Sequence, residues 1–123
     1  MTVSVASISF HDNYIDVVLE GVSVGFSPQF LTIHDQAFAA AEEHSCSNIL
    51  IDASAVEYTI DTIMERNVAI DLAHRCQGIY RVALISPSPE HRAYKQVELT
   101  AHGRGIDVRV FARREEAVAW LLH

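Results

Sequence analysis

Basic residues are missing from the first half of this chain. Residues 1–65 contain ten acidic residues and no Lys or Arg, whereas residues 66–123 contain nine basic and six acidic residues. The formal net charge is −7 at pH 7. Because nucleic acids and anionic membrane surfaces bind proteins through clustered cations, this composition argues against both as nonspecific partners.

Long hydrophobic runs are also absent. The longest stretch without a charged residue, residues 21–34, is too short and too polar to span a bilayer. The opening residues, MTVSVASISFHDN, have no basic region before their apolar residues, so they predict a strand and not a secretory signal. We therefore expect a cytoplasmic protein without an integral membrane segment.

Gly, Pro and Cys are scarce. Five Gly and three Pro residues form neither a flexible linker nor a Gly-rich phosphate-binding loop, so we expect no cofactor. Cys46 and Cys76 lie thirty residues apart without a CxxC pattern, and in a reducing compartment we expect them to be buried small hydrophobes, with a disulfide between them as the alternative. A length of 123 residues fits one domain, so residues 1–123 are expected to form a single domain.

The periodicity of the apolar residues predicts nine elements in the order β-β-α-β-α-β-α-β-α. They are strands over 3–10 (interrupted near Ala6) and 14–20, a helix opened by Ser27-Pro28, a strand over 48–53, a helix from Thr59 or Asp61, a strand over 80–85, a helix opened by Ser88-Pro89 and ended by Gly103, a strand over 106–111, and a helix over 115–122. This order predicts an α/β fold with a mixed, mostly parallel five-stranded sheet, in which an initial hairpin provides the antiparallel strand.

Two segments resemble a known family. Residues 48–62 (NILIDASAVEYTIDT) resemble the strand, loop and helix start of STAS domains, the anti-sigma-factor-antagonist group typified by SpoIIAA. Residues 103–111 (GRGIDVRVF) and 116–121 (EAVAWL) are similar to the closing strand and helix of SpoIIAA-like bacterial proteins. The resemblance implies this same fold and a regulatory, non-enzymatic protein-interaction module, either a homodimer or part of a switch between protein partners.

The resemblance also implies a candidate phospho-switch. In the antagonist group, a partner kinase phosphorylates a Ser or Thr at the start of the second helix, and the phosphate switches partner binding. The matching residues here are Asp61 and Thr62, where Asp-Thr-Ile-Met replaces the group's Asp-Ser-Ser-Gly. A phosphate at this position would interact with the helix dipole and alter an interface. The alternative is that Thr62 is an ordinary residue of the first helical turn.

Polar residues follow the third and fourth predicted strands. Ligands of open α/β sheets bind beyond the carboxyl ends of parallel strands, so we expect these residues to form a candidate site for an anion or a phosphorylated partner. The residues are Asp52, Ser54, Tyr58, Ser86, Ser88, His91 and Arg92. The alternative is that they are helix caps, turn residues and solvated side chains.

Other functions receive less support from the sequence. The related lipid-binding CRAL-TRIO domains imply a carrier or sensor that holds a small apolar or anionic ligand between helices and sheet. No catalytic motif accompanies a potential base such as His74 or His91, so we expect no enzyme. Asp71, His74 and Cys76 lie close together in sequence, but without a fourth ligand or a paired Cys/His motif we expect no metal site.

The last predicted helix lacks a capping residue. Ala112, Arg113 and Arg114 precede it where Ser, Thr or Asp is expected, and the two cations oppose the helix dipole. We therefore expect a frayed helix start that exposes both arginines to an acidic partner or to the acidic half of a neighbouring copy.

Overall fold

The computed structural model describes residues 3–23, 29–58, 62–77, 80–85 and 92–123. Within these residues the chain forms the nine elements in the predicted order. They are β1 (Ser4–His11), β2 (Tyr14–Ser23), α1 (Gln29–Glu43), β3 (Asn48–Tyr58), α2 (Thr62–Cys76), β4 (Arg81–Ile85), α3 (Arg92–Gly103), β5 (Asp107–Phe111) and α4 (Arg114–Leu121). No helix in the described ranges is long and apolar enough to cross a membrane.

The strands form one mixed sheet in the order β1-β2-β3-β4-β5. β1 is antiparallel to β2, and every other neighbouring pair is parallel, which confirms the predicted fold class. The interruption expected near Ala6 is a break in register between Val5 and Ser7. The hairpin turns at Asp12 and Asn13, whose φ values of 40° and 74° lie in the left-handed region that Asp and Asn tolerate.

The third strand is longer than predicted. The prediction ended it at residue 53, but β3 continues to Tyr58 because β2 also continues past Gly21, and the two strands pair up to Ser23 and Tyr58. The ladder with β4 is shorter and ends at the pair Asp52–Ile85. Asp52 therefore lies within the sheet and not in the loop that follows it.

The sheet separates two hydrophobic clusters, because alternate residues of each strand point to opposite faces. The larger cluster packs the sheet against α1, α2 and α3. The smaller cluster packs it against α4 and consists of Tyr14, Leu50, Ala83, Ile85, Ala117 and Leu121. Leu50 and Ile51 are consecutive, both buried, and belong to different clusters, as expected for a strand covered on both faces.

Both cysteines are unpaired and buried, which confirms the expectation of buried small hydrophobes over the alternative of a disulfide. The Cys46 Sγ lies 3.3 Å from the backbone oxygen of Asn13 and 3.4 Å from that of Asn48, and its single proton can be donated to either, so this thiol joins the β1–β2 turn to the start of β3. Cys76 is fully buried, and burial raises the pKa of its thiol to about 12. Since the thiolate is the reactive form, the fold makes Cys76 inert.

We expect neither thiol of the native protein to react with an aromatic disulfide reagent at pH 8, because both are inaccessible and Cys76 stays protonated. Both should react within the mixing time once guanidinium unfolds the chain. The absorbance of the released thiol measures this directly. Rapid labelling of one thiol per native chain would contradict the described packing.

Candidate functional site

Two carboxylates lie on the face of the sheet that α4 covers. Asp16 of β2 lies between Ile15 and Val17, which both face the larger cluster, so alternation directs the Asp16 side chain to the opposite face. Asp52 of β3 follows Ile51 and lies on that same face. Their side chains are only 13% and 12% exposed. Two carboxylates so poorly hydrated need a cation or hydrogen-bond donors nearby.

Arg114, the first residue of α4, supplies the cation. Its Nη1 donates to Asp16 Oδ2 (2.9 Å) and its Nη2 to Asp16 Oδ1 (3.1 Å), while Nη2 also donates to Asp52 Oδ2 (2.8 Å). The planar guanidinium thus binds one carboxylate with two parallel hydrogen bonds and reaches the other with a third. We call Arg114, Asp16, Asp52 and Ser54 the Arg114 cluster.

Ser54 completes the hydrogen bonding of Asp52. Its backbone N–H (2.9 Å) and its hydroxyl (2.6 Å) both donate to Asp52 Oδ1. Burial raises the pKa of Asp52, but the hydrogen bonds from Ser54 and then from Arg114 outweigh this, so the pKa lies below its ordinary value. The hydrogen bond from Arg114 to Asp16 is the main reason that the pKa of Arg114 is raised. Asp52 and Arg114 are therefore both ionised at neutral pH.

The expectation that both arginines before the last helix are exposed is wrong for Arg114. α4 is uncapped, as predicted: Arg113 occupies the cap position without a side-chain hydrogen bond, and its side chain is exposed. Arg114 instead anchors the helix start to the middle of the sheet. Sequence reasoning missed Asp16, although an Asp inside the apolar strand YIDVVL indicates a buried carboxylate that requires a partner.

The structure brings together only two of the predicted site residues within the described ranges, Asp52 and Ser54. Tyr58 ends β3, Thr62 begins α2 and Arg92 begins α3. The side chains of these three lie outside the described part of the structure. The predicted residues Asp61, Ser86, Ser88 and His91 lie outside the described residues altogether.

A second charged cluster joins α1 to α2. The Nδ1 of His34 lies 2.6 Å from Asp71 Oδ2, and His34 is 4% exposed. Arg75 donates from Nε to the same Asp71 oxygen (2.7 Å), and its Nη1 lies 2.7 Å from Asp35 Oδ1. Burial raises the pKa of Asp71, but the hydrogen bonds with His34 and Arg75 outweigh it and place the pKa below its ordinary value. We call these four residues the His34 cluster.

The His34 cluster gives Asp71 different partners from those considered in the metal hypothesis. Asp71 contacts His34 and Arg75, His74 is exposed, and Cys76 is buried in the larger hydrophobic cluster. No group of three or more potential metal-ligating side chains occurs among the described residues. Nothing in the sequence pattern indicated His34, because its partner is on another helix 37 residues away.

Comparison with known proteins identifies the fold through structure alone. No family model and no curated protein sequence matches this chain. The crystal structure of an anti-sigma factor antagonist from Mycobacterium paratuberculosis matches with a TM-score of 0.61 and 16% identity, and covers 99% of this chain and 96% of that chain. A Ser-to-Glu variant of RsbS from Moorella thermoacetica matches with a TM-score of 0.57 and 16% identity, over 94% of this chain and 92% of that chain.

A third similar structure is the anti-sigma factor antagonist SpoIIAA in its unphosphorylated form. Its TM-score is 0.54 at 12% identity, and the match covers 93% of this chain and 94% of that chain. The three matches span nearly the full length on both sides. The chain therefore has the fold of the anti-sigma factor antagonists, which confirms the predicted SpoIIAA-like architecture.

Proposed function

We propose that this protein is a non-enzymatic regulatory module that binds a protein partner, as anti-sigma factor antagonists do. The observation that carries the proposal is the match to an anti-sigma factor antagonist over 99% of this chain and 96% of that one. The entire described architecture is thus accounted for by the antagonist fold. The carrier hypothesis gains no support, because none of the three similar structures is described as a ligand carrier.

We further propose that Thr62, with Asp61, forms a phospho-switch. The support is that α2 begins at Thr62, so a phosphate there would lie beside the unpaired N–H groups of the first helical turn. One similar structure is described as an unphosphorylated form, and another carries a Glu in place of a Ser. A phosphate dianion on a surface helix also adds charge and bulk to any interface that includes it.

The proposal includes the remaining predicted site residues. Tyr58, Ser86, Ser88, His91 and Arg92 are proposed to belong to the partner-binding region around the start of α2, whereas Asp52 and Ser54 support it from within the sheet. Their mutual hydrogen bonds favour a supporting role for these two residues. We also propose that residues 1–123 act as one domain, in the cytoplasm, and that the chain forms a homodimer.

A phosphomimetic substitution tests the proposed function. We expect a tagged chain to recover a saturable protein partner from its native host, and Thr62→Glu to weaken that association about tenfold, because the added charge opposes the interface. Thr62→Val, which cannot be phosphorylated, should retain the partner. Affinity can be measured by titration once mass spectrometry has identified the recovered protein.

The matched control is Thr32→Glu. Thr32 is an exposed residue of α1, so the substitution introduces the same charge at a different helix. Partner binding should be unchanged in this variant. Equal binding by the wild-type chain and the Thr62→Glu variant would rule out the switch, and a chain that recovers no saturable protein partner would contradict the proposed function.

A further inference from the structure

The two edge strands of the sheet differ in how well they are protected against pairing with a further strand. β5 is five residues long and presents the exposed charged residues Asp107 and Arg109. β1 is eight residues long (SVASISFH) and contains no Pro and no acidic, Lys or Arg residue. Native proteins protect edge strands by keeping them short, charged or interrupted by Pro. Beyond the irregularity between Val5 and Ser7, β1 has a regular stretch over residues 7–11 without any of these protections.

In the described part of the chain, no strand pairs with the outer side of this stretch. Among the described residues, β1 pairs with β2 alone, so half of its backbone N–H and C=O groups point away from the sheet. The whole strand occupies one end of the strand order. Such an edge can accept a further strand through backbone hydrogen bonds, which is a common mode of peptide recognition.

The side chains of β1 define what kind of strand would fit. Ile8 and Phe10 lie on the α1 face and are 37% and 42% exposed. The Phe10 ring stacks on His44 with ring centroids 4.6 Å apart and an interplanar angle of 4°, which fixes its orientation. On the other face, the Ser9 hydroxyl lies 2.8 Å from His11 Nε2. An added strand should therefore alternate apolar side chains with hydroxyl-bearing ones.

The charges around β1 decide between a second copy and a different partner. Asp12 lies in the turn at one end of the strand, and the exposed Glu20 pairs with Ser4 at the other. Antiparallel self-pairing would bring the Asp12 end of one copy near the Glu20 end of the other, so negative charges would face each other at both ends of the paired strands, which is unfavourable. The absence of Lys and Arg from residues 1–65 leaves no compensating cation in this part of the sequence.

We propose that β1 accepts a sixth strand from a partner protein, an extended segment of alternating apolar and hydroxyl residues with Lys or Arg at both ends. The proposal rests on the proposed protein-binding function and identifies a second binding surface. This surface is formed by the edge strand β1, whereas the first proposed surface surrounds the start of α2, and α1 packs against both elements. A homodimer of this chain would use a different surface.

A synthetic peptide of alternating Val and Thr, with two Lys residues at each end and a fluorescent label, tests the proposal. We expect it to bind, as measured by fluorescence anisotropy at low salt, and to change the amide NMR signals of residues 7–11. The same peptide with Glu at its ends should bind at least tenfold more weakly. Asp12→Asn and Glu20→Gln should each weaken binding of the Lys-ended peptide about threefold, the effect of one exposed ion pair.

A pair of matched variants locates the surface. Ile8→Lys introduces a cation on the open edge and should abolish binding, whereas Leu99→Lys makes the same kind of change at a 63% exposed residue of α3 and should leave binding unchanged. If Ile8→Lys does not fold, the two acid-neutralising variants decide the question, because they alter only exposed side chains.

Three results would overturn the proposal. The first is the absence of peptide binding, and the second is equal weakening by Leu99→Lys. The third is a homodimer of this chain that Ile8→Lys dissociates, which would assign the edge to a second copy. Failure of the peptide experiment while Thr62→Glu still weakens partner binding would overturn the β1 proposal alone and leave the proposed function intact.

Discussion

Replacing Arg114 by Ala is expected to lower the free energy of unfolding by about 2 kcal/mol at pH 7. The variant removes the described counter-ion of Asp16 and Asp52, whose side chains are only 13% and 12% exposed. Removing one partner of a fully buried ion pair costs about 3–5 kcal/mol, and the value expected here is smaller because Arg114 itself is 38% exposed and water screens the site. Urea unfolding followed by circular dichroism measures the loss.

The neighbouring arginine is the control for this prediction. Arg113→Ala removes the same side chain from an exposed position without a side-chain cap bond, and should change stability by less than about 0.5 kcal/mol. The loss of stability for Arg114→Lys should lie between the losses for these two variants, because a Lys keeps the charge but cannot make the paired hydrogen bonds to Asp16. Equal losses for Arg113→Ala and Arg114→Ala would contradict the role assigned to the Arg114 cluster.

The effect of Arg114→Ala should depend on pH in a defined direction. The folded pKa of Asp52 lies below its ordinary value of 3.8, so its ionised form contributes stability that is fully present above that value. This contribution is lost as the pH falls through the lower, folded pKa. The difference in stability between wild type and Arg114→Ala should therefore be largest at neutral pH and shrink below about pH 4.

Replacing Asp71 by Ala should lower the free energy of unfolding by about 2 kcal/mol at pH 7, because the substitution removes a partner from two residues at once. His34 is buried and would lose the acceptor or counter-ion at Nδ1, and Arg75 would lose one of its two carboxylates. The pKa of Asp71 is lowered, so this stabilisation should also be lost as the pH falls below the ordinary value of 3.8.

Asp35→Ala is the matched control for Asp71→Ala. Asp35 contacts the same Arg75 but is 68% exposed, and an exposed ion pair contributes less than about 1 kcal/mol. Denaturant unfolding of both variants measures the contributions of Asp35 and Asp71 to stability separately. A loss for Asp35→Ala as large as that for Asp71→Ala would show that Arg75, and not the buried His34, determines the stability of the α1–α2 contact.

The element order and sheet class were predictable because they depend on local patterns. Alternation in β1 and β2, the apolar run NILIDA and the helical spacing of residues in α1 each reflect the face that the element buries. The length of β3 was not predictable in the same way. Its last residues form a strand because β2 extends alongside them, and pairing with a distant segment leaves no local signal.

The charged clusters show the same limit. Asp16 and Arg114 are separated by 98 residues, and His34 and Asp71 by 37, so their contacts follow from tertiary packing. The lack of a capping side chain at the start of α4 was evident from the sequence. The unfavourable interaction of two cations with the helix dipole, considered alone, led to the wrong expectation that Arg114 is exposed. The clue in the sequence was Asp16 itself, because a carboxylate within an apolar strand requires a partner.

Native mass spectrometry of the protein purified from its native host, before and after denaturation, tests most directly whether the chain is a protein-binding module. We expect the native spectrum to contain the chain in a complex with protein subunits, and the denatured spectrum to show the bare chain, with or without a phosphate. A small molecule that is retained in the native spectrum and released on denaturation would contradict this function and identify a ligand carrier.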